Sequence, residues 1–517
     1  MTGWVRRPGR GARRGLGVAA VIATVALVAS GCLPGLPTPT ATSTPTGERV
    51  APGLERYYHQ ELVWSACGAM QCATAIAPMD WADPEQGTDI ELALVRQPAT
   101  GGDPVGSLIV NPGGPGASGV DFVRDSIDYA VGDAIQRRFD VVGLDPRGVG
   151  ASTAIDCGGA PMLDEYLYSV PDAEFGSDAW IAALRDGSRA FGAACAAHSG
   201  ELLAHGDTAS AARDLDMLRA ALGDDRLDYL GYSYGTLLGA VYAELFPERT
   251  GRLVLDGAID PAATDVDMSV AQAAGFERAF DAYAAWCGEQ DDCPFDGDVA
   301  AIRASVGALL ATIAASPLAA ADGREVGAQT MFTAIILPLY SRSTWPALSE
   351  LFATTLRGDP ASALSLADAY NGRGADGTYA SNLTEAFTSI FCLDARSDAS
   401  LPAVREQEAR VLAAAPLFGP FMAYGSTGCA DWPVPAVRAR EPIVAAGSAD
   451  ILVVGTTRDP ATPYEWAATL AGTLEHGHLV SFDGDGHTAY NKGSACVDDT
   501  VESFLLDGVV PAADPHC

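Results

Sequence analysis

Short apolar runs separated by amphipathic stretches dominate the chain from about residue 88 onward. Each run ends at or near Gly, Asp or Asn, which is typical of strands that are covered on both faces. The alternation of such runs with helical stretches predicts an α/β protein with a mostly parallel sheet. The predicted strands are 90–95, 106–111, 139–145, 227–232, 252–257, 451–456 and 478–483.

Between residues 260 and 445 this strand pattern stops, and Ala/Leu-rich helical segments take its place. The stretch is far too long for a loop inside a compact domain. The sequence therefore predicts a mainly helical cap at 261–445, inserted between two parts of one core, 51–260 and 446–517. Ahead of the core, the Pro/Thr/Ser-rich residues 32–50 predict an extended tether.

Composition and charge narrow the possible functions. Of the 517 residues, 48% are hydrophobic and 19% are charged, so the chain can bury a large core and is not disordered throughout. Against 66 acidic residues stand 32 basic ones, which gives a net charge of −34, and Lys492 is the only lysine. This balance argues against functions that depend on a broad basic face, above all nucleic-acid binding.

The first 31 residues have the layout of an export signal. Arginines come first, an apolar run follows from about residue 16 to 28, and small residues precede Cys32. The apolar run is shorter than the roughly 20 residues that a membrane span needs. Small residues directly before a cysteine resemble a bacterial lipoprotein signal, so we expect lipidation at Cys32 and a lipid anchor in the membrane. The alternative is ordinary secretion, with Cys32 removed or left without a role.

The cysteine count supports an oxidising compartment. When Cys32 is set aside, ten of the eleven cysteines remain, and an even number in an exported protein predicts five disulfides. The short spacings Cys67/Cys72 and Cys287/Cys293 suggest local pairs. A zinc site is the other interpretation of such pairs, but neither has the spacing of a zinc knuckle or a histidine beside it.

The motif GYSYG (231–235) follows a predicted strand and precedes an amphipathic helical stretch. A G-x-S-x-G pattern in this context predicts a nucleophile elbow with Ser233 exposed at the strand end. Glycine is needed on both sides, because a side chain there would clash with the neighbouring strand and helix. The helix N-terminus favours the negative charge that develops during attack. A Gly/Ser turn without a catalytic role is the alternative interpretation.

A serine nucleophile needs a base that an acid holds in one tautomer. In a fold of this type the chain order is Ser, acid, His, so both partners are sought downstream at strand ends. His487 lies in a Gly-rich turn beyond the last predicted strand, whereas His476 and His478 come before or at the start of that strand. Asp459 follows the preceding predicted strand. We therefore predict His487 as the base and Asp459 as the acid, with Asp256 as the alternative acid.

A glycine-rich loop, NPGGPG (111–116), follows another predicted strand and can supply backbone N–H groups to an oxyanion hole. We predict Gly114 and Tyr234 as the two donors. The same segment also fits G-x-G-x-x-G, with Asp145 at the end of the next strand, as in a dinucleotide-binding fold. A second proline in the turn, the export signal and an otherwise unexplained Ser/Asp/His set favour the hydrolase interpretation.

Together these segments resemble the secreted bacterial tripeptidyl aminopeptidase family, relatives of proline iminopeptidases within the α/β-hydrolase fold. The motifs that carry the resemblance occur in the order NPGGPG, LDPRGVGAS, GYSYG, VLDGAIDP, CADWP, GTTRDPATP and GDGHT. The resemblance implies a central sheet with an inserted helical cap, and a serine exopeptidase that releases short peptides from free N-termini. It carries the catalytic serine, aspartate and histidine onto Ser233, Asp459 and His487. Thr462 lies in the same motif as the acid and is expected to position it.

The chain departs from proline iminopeptidases at one point. These have His-Gly-Gly-Pro-Gly where this chain has Pro112 first, which leaves the glycine donors intact but weakens the transfer of proline specificity. An aminopeptidase must hold the ammonium group of its substrate, and carboxylates are the natural partners. Asp394 and Asp431, each close to a cysteine, are the candidates. Solvated surface acids are the alternative interpretation of both.

The expected function is that of a serine peptidase exported to the outer face of the cell membrane or secreted. It would act on peptides or proteins and need no metal or cofactor. An esterase or lipase on the same scaffold is the first alternative, because the same triad serves esters equally well. A non-catalytic, lipid-anchored binding protein is the second, and the complete Ser/Asp/His set argues against it.

Overall fold

The computed structural model describes residues 39–517 apart from Gln86, Ala395 and Arg438. Its strands are β1 (Pro39–Thr42), β2 (Val63–Cys67), β3 (Met70–Pro78), β4 (Asp89–Gln97), β5 (Ser107–Asn111), β6 (Asp140–Leu144), β7 (Leu227–Tyr232), β8 (Thr250–Asp256), β9 (Leu318–Ala319), β10 (Glu325–Val326), β11 (Ile451–Arg458) and β12 (Gly477–Asp485). Ten of them form one sheet in the order β1-β2-β3-β4-β6-β5-β7-β8-β11-β12, and β9 pairs with β10 alone.

Helices cover both faces of the sheet and build the segment between β8 and β11. They are α1 (Glu55–Tyr58), α2 (Gly119–Ala130), α3 (Asp133–Arg138), α4 (Ala160–Tyr168), α5 (Asp178–Ser199), α6 (Thr208–Leu222), α7 (Tyr234–Leu245), α8 (Asp265–Cys287), α9 (Val299–Ala315), α10 (Ala328–Leu339), α11 (Trp345–Thr355), α12 (Ala361–Asn371), α13 (Leu383–Asp394), α14 (Leu401–Ala414), α15 (Gly419–Met422), α16 (Tyr464–Thr473) and α17 (Ala495–Asp507).

The predicted mostly parallel sheet is confirmed. Strands β6, β5, β7, β8, β11 and β12 are parallel neighbours in that order. Their apolar runs are buried on both faces. On one face Val110, Leu230 and Val254 are fully buried, and on the other Ile109, Tyr229 and Leu253 are at most 1% exposed. All seven predicted strands are present. Continuous apolar sequence is therefore the signature of the strands that carry the site.

The antiparallel side of the sheet was not predicted beyond β4. Strand β4 pairs antiparallel with both β6 and β3, and β2 and β1 extend the sheet further in the same manner. On β3 the exposed Ile76 lies between the buried Ala75 and Ala77. One face of this strand is thus open to solvent, so its sequence lacks the continuous apolar run that marked the other strands.

The segment between β8 and β11 forms the helical cap, from α8 to α15 with the short β9–β10 hairpin. Aromatic side chains make up its core. The ring of Phe280 lies 5.7 Å from that of Tyr283, 6.3 Å from that of Phe352 and 5.3 Å from that of Phe418, measured between centroids. The cap therefore has a hydrophobic core of its own beside that of the sheet.

The tether predicted at 32–50 is corrected over the part that the structure describes. From Pro39 this segment pairs with β2 as strand β1, and farther along the Thr46 N–H donates to the Ala220 carbonyl at 2.9 Å. Glu48 forms ion pairs with Arg219 and Arg249. Composition alone misled the prediction, because backbone hydrogen bonds to an existing sheet edge need no apolar side chains.

Five disulfides are present, as predicted, and they use every cysteine except Cys32, which lies outside the described residues. Both predicted local pairs are among them. The pairs are Cys67–Cys72, Cys157–Cys195, Cys287–Cys293, Cys392–Cys429 and Cys496–Cys517. Within the described residues no helix has the length and apolar character that crossing a membrane requires.

Candidate active site

The predicted elbow lies between β7 and α7. Ser233 occupies the turn with φ 55° and ψ −121°, a conformation that L-residues rarely adopt. A Cβ on Gly231 would lie 2.4 Å from the Gly235 carbonyl oxygen, and one on Gly235 would lie 2.8 Å from Asn111 Oδ1. Both glycines are therefore required by close backbone approach. The Ser233 N–H donates to the Asp256 carbonyl at 2.9 Å and ties the elbow to the end of β8.

His487 follows β12 and is held by Asp459, which follows β11. Its Nδ1 lies 2.9 Å from each carboxylate oxygen of Asp459. The Asp459 side chain is fully buried, and the His487 side chain is 13% exposed. Next to the elbow, a Cβ on Gly257 would lie 3.2 Å from His487 Cε1, so this glycine leaves room for the imidazole. The structure brings the predicted base and acid together beside the predicted nucleophile.

The Asp459 carboxylate is saturated with donors. It accepts from the N–H groups of Ala461, Thr462 and Thr488 at 2.9, 2.9 and 3.1 Å and from Thr462 Oγ1 at 3.0 Å. Burial alone would raise the pKa of Asp459, but the charge and hydrogen bond of His487 and the backbone donors outweigh burial and lower this pKa. The carboxylate is thus ionised at neutral pH and fixes the proton of His487 on Nδ1, which leaves Nε2 as the acceptor.

Thr462, expected to position the acid, bridges both partners. Its hydroxyl lies 3.0 Å from Asp459 Oδ2 and 3.2 Å from His487 Nδ1. The side chain is almost fully buried.

Asp256, the alternative acid, has a different task. Its carboxylate accepts from the N–H groups of Ala489 and Tyr490 at distances between 2.8 and 3.1 Å. Complete burial raises the pKa of Asp256. It therefore supports the backbone just after His487, while Asp459 contacts the imidazole itself.

The loop at 111–116 lies against the elbow. Asn111 Oδ1 accepts from the Gly113 N–H at 2.9 Å, and a Cβ on Gly113 would lie 2.5 Å from the Tyr232 carbonyl and 3.1 Å from the Tyr234 nitrogen. In the described part of the chain, the N–H groups of Gly114 and Tyr234 have no protein acceptor. These are the two donors that the sequence predicted. An N–H without a protein acceptor is what an oxyanion donor requires, so the assignment of both groups stays a prediction.

Asp394 and Asp431 lie in different surroundings. Asp394 is buried and accepts from the backbone N–H of Thr208 at 3.0 Å and from its hydroxyl. Thr208 Oγ1 lies 2.5 Å from the Tyr234 hydroxyl. Asp394 is thereby linked to the side chain of an expected oxyanion donor.

Asp431 fits the alternative interpretation of a solvated surface acid. Its side chain is 57% exposed and forms an ion pair with Arg189 on α5 at 2.7 Å. This pair lowers the pKa of Asp431. The cysteine two residues earlier joins Cys392 and leaves the aspartate facing solvent.

The dinucleotide interpretation finds no support in the surroundings of Asp145. Its carboxylate accepts from Ser118 Oγ at 2.6 Å and from the N–H groups of Val120 and Ala151 at 3.0 and 2.8 Å. These contacts occupy the group that would have to bind a ribose. Among the residues described, no cluster of three or more His, Cys, Asp or Glu side chains is arranged to hold a metal ion.

Sequence reasoning missed contributions from the cap and from α6. Tyr340 lies at the end of α10, and its carbonyl accepts from the backbone N–H of His487 at 2.9 Å. The Tyr340 ring lies edge-on to the imidazole, with 5.3 Å between the ring centroids. Thr208 was missed as well, because nothing in a helix-start threonine indicates which distant side chain it will contact. Asn111 could have been found, since a polar residue that ends an apolar strand beside a glycine loop is a signal for loop support.

Two family models match the chain. One is described as an alpha/beta hydrolase fold and matches residues 106–304, which include the glycine-rich loop and the elbow. The other is described as a TAP-like protein and matches residues 415–517, which include Asp459 and His487. The matched regions thus carry Ser233, Asp459, His487 and the glycine-rich loop, whereas Tyr340 and Asp394 lie between them.

Three relatives are similar along most of their length. Serine protease Hip1 of Mycobacterium tuberculosis is 35% identical over 96% of this chain and 96% of its own. Carboxylesterase B of the same species is 39% identical over 93% of this chain and 92% of its own. Tripeptidyl aminopeptidase of Streptomyces lividans is 33% identical over 88% of this chain and 84% of its own. The chain therefore belongs to the tripeptidyl aminopeptidase family of α/β-hydrolases and is a serine hydrolase.

Proposed function

We propose that this protein is an exported serine peptidase that releases short peptides, in the first instance tripeptides, from free N-termini. Ser233 is the nucleophile, His487 the base and Asp459 the acid that orients it. The observation that carries the proposal is the 2.9 Å contact of His487 Nδ1 with a buried, donor-saturated Asp459 at the strand ends beside the elbow.

The proposed reaction proceeds through an acyl-enzyme. His487 Nε2 takes the proton from Ser233 Oγ as the oxygen attacks the scissile carbonyl, and Asp459 stabilises the imidazolium. The N–H groups of Gly114 and Tyr234 receive the oxyanion. The imidazolium then protonates the leaving amine, and a water activated by the same nitrogen releases the N-terminal fragment.

Two considerations favour peptides with free N-termini as substrates. Relatives of this chain include proteins named serine protease and tripeptidyl aminopeptidase. In addition, 66 acidic against 32 basic residues create a field that attracts cationic substrates, including the ammonium group of a free N-terminus.

The first test is labelling with a fluorophosphonate probe. The wild type should be labelled, Ser233→Ala should not, and Ser305→Ala, an exposed serine on α9, should match the wild type. A folded wild-type protein that resists the probe would overturn the hydrolase assignment of Ser233.

The second test addresses specificity. A tripeptide p-nitroanilide with a free N-terminus should be cleaved, and its N-acetylated form should be cleaved far more slowly. Equal rates on both would overturn the aminopeptidase proposal while leaving the serine hydrolase intact.

A carboxylesterase is the second candidate, because one relative at 39% identity is named Carboxylesterase B. The same nucleophile, base and oxyanion donors would serve an ester. Butyryl and longer acyl p-nitrophenyl esters separate the candidates: kcat/KM well above that for the unblocked tripeptide would favour the esterase.

For localisation, we propose lipidation at Cys32 after export. The five disulfides leave this cysteine as the eleventh, and only residues 33–38 separate it from β1. Cells that produce the protein should incorporate a clickable palmitate analogue into it. Cys32→Ser should abolish incorporation and shift the enzyme from the membrane fraction to the medium, and unchanged fractionation would contradict the proposal.

A further inference from the structure

A cavity of about 1050 Å³, the cap cavity, lies between the cap and residues 167–184, and the catalytic proposal does not use it. Its walls come from the segment after α4, the start of α5, the helices α9 and α10, and residues 416–421. Neither the elbow nor the loops of Asp459 and His487 contribute to its lining. A cavity of this size can take several side chains of a polypeptide.

The lining combines apolar walls with acidic side chains. Trp180, Leu310 and Phe421 are buried side chains on the walls. Asp172, Glu174 and Glu325 are exposed acids on the lining, and within the described chain none of the three forms an ion pair. No Lys, Arg or His belongs to the lining.

This chemistry fits a segment that carries both basic and apolar side chains. Apolar side chains gain from removal of water against the walls, and cationic ones gain from three carboxylates that form no ion pair within the described chain. Phosphate or carboxylate ligands would be repelled by the same carboxylates, because the lining offers no cation to receive them.

Helix α10 connects the cavity to the catalytic loops. Its first residues, Ala328 to Thr330, line the cavity, and Tyr340 at its end accepts the His487 N–H. At about 1.5 Å per residue, a helix of this length spans roughly 18 Å. An extended peptide covers that distance with about six residues, at up to 3.6 Å each.

We propose that the cavity is an exosite that binds the downstream part of polypeptide substrates, at a segment with basic and apolar side chains. The inference rests on the proposed peptidase function and deepens it. It gives the enzyme a preference for longer cationic substrates that the catalytic groups alone do not provide. Peptides too short to extend about six residues beyond the scissile bond do not reach the exosite.

Direct binding is measured with Ser233→Ala, so that the probe is not hydrolysed. The probe is a fluorescein-labelled 16-residue peptide of alternating Leu and Arg, and the control peptide has Glu in place of Arg. The rim variant combines Asp172→Asn, Glu174→Gln and Glu325→Gln. The matched control variant combines Glu289→Gln, Asp291→Asn and Asp292→Asn, which are exposed cap acids outside the cavity lining.

Fluorescence anisotropy at low salt should show binding of the Leu/Arg peptide. The rim variant should weaken it at least tenfold, the control variant by less than twofold, and the Leu/Glu peptide should not bind. Filling the cavity with Ala311→Trp should weaken the Leu/Arg peptide as well. Equal affinity of the rim variant and the control variant, or equal binding of both peptides, would overturn the exosite.

Steady-state kinetics on enzyme with Ser233 intact provide the second measurement. The rim substitutions should raise KM for a 14-residue Leu/Arg-rich substrate about tenfold and leave KM for a tripeptide p-nitroanilide unchanged. An equal rise in both KM values would overturn the exosite. Failure of the peptidase proposal shows itself differently, as absent hydrolysis with Leu/Arg peptide binding preserved.

Discussion

The catalytic edge of the sheet and the cavity in the cap are built on opposite principles. At the catalytic edge, acceptors are saturated and glycines leave no spare volume: Asp459 has both oxygens occupied, and an added methyl on Gly113 would collide with the elbow. Between the cap and residues 167–184, apolar walls line a large open cavity whose acids lack ion pairs among the described residues. The first arrangement fixes atoms to fractions of an ångström, whereas the second accepts ligands of variable shape.

This difference separates the groups that carry out the reaction from the groups that select the substrate. Substitutions at the catalytic edge should act mainly on kcat, because they displace groups that must be in place in the transition state. Substitutions in the cap cavity should act on KM for long substrates only.

Asp459→Asn should lower kcat by about 10⁴-fold, because the amide no longer holds His487 in the required tautomer. The measurement is steady-state hydrolysis of an unblocked tripeptide p-nitroanilide. Asp450 provides a matched control, since it pairs with His478 at 2.8 Å at the beginning of β12. Asp450→Asn should change kcat by less than twofold, and a comparable loss in both variants would contradict the assignment of Asp459.

Gly113→Ala should lower kcat by roughly 100-fold, the scale expected when an oxyanion donor is displaced. The glycine has φ +99°, and its Cβ would lie 2.9 Å from that of Ser233. Gly472→Ala on α16 is the control, because nothing lies within 4 Å of that added Cβ. Retained activity in Gly113→Ala would show that the loop can shift without loss of the oxyanion hole.

Asp394→Asn should lower kcat about tenfold with little change in KM. Asp394 accepts from Thr208, whose hydroxyl contacts that of Tyr234, so the substitution disturbs the residue that carries one oxyanion donor. The preference for free over N-acetylated substrates should persist. Loss of that preference would instead assign Asp394 to the substrate ammonium group. Asp398→Asn, an exposed position farther along the chain, should have no effect on either quantity.

Glu385→Gln on α13 should change stability and leave kcat unaffected. Burial raises the pKa of Glu385 to about 7, so the folded protein keeps a proton that the unfolded chain releases at lower pH. Wild-type stability should therefore fall as the pH rises from about 4.5 to 7, by up to roughly 3 kcal/mol.

The measurement is the difference in Tm between Glu385→Gln and the wild type at pH 4.5 and pH 8. The variant should be the more stable protein at pH 8, and the advantage should nearly vanish at pH 4.5. Glu350→Gln, at an exposed glutamate of α11, serves as the control and should show the same Tm difference at both values. A pH-independent difference in Glu385→Gln would contradict the titration of this carboxyl.

The sequence predicts an element correctly where the structure of that element demands one type of residue. Buried parallel strands need continuous apolar runs, so the sequence predicts all six parallel strands, together with the antiparallel β4. The elbow at Ser233 needs glycine on both sides. By contrast, Asp256 ends β8 and Asp459 follows its parallel neighbour β11, so the sequence favours Asp459 without excluding Asp256.

Contacts between distant segments were out of reach of sequence reasoning. Asp431 lies two residues from a disulfide as expected, yet it faces Arg189 and solvent, because a disulfide fixes the backbone and not the direction of a neighbouring side chain. The composition of 32–50 predicts a tether where the structure has strand β1, because the pairing of β1 depends on backbone groups that every sequence has. The cap cavity is formed by five separate segments, and no local sequence pattern predicts it.

The hydrogen bond from the His487 backbone N–H to the Tyr340 carbonyl ties the position of the base to the position of the cap. A cap that lifted away from the sheet would break this bond and release the turn that carries the imidazole. A change at the end of α10 would therefore act on His487 without touching its side chain.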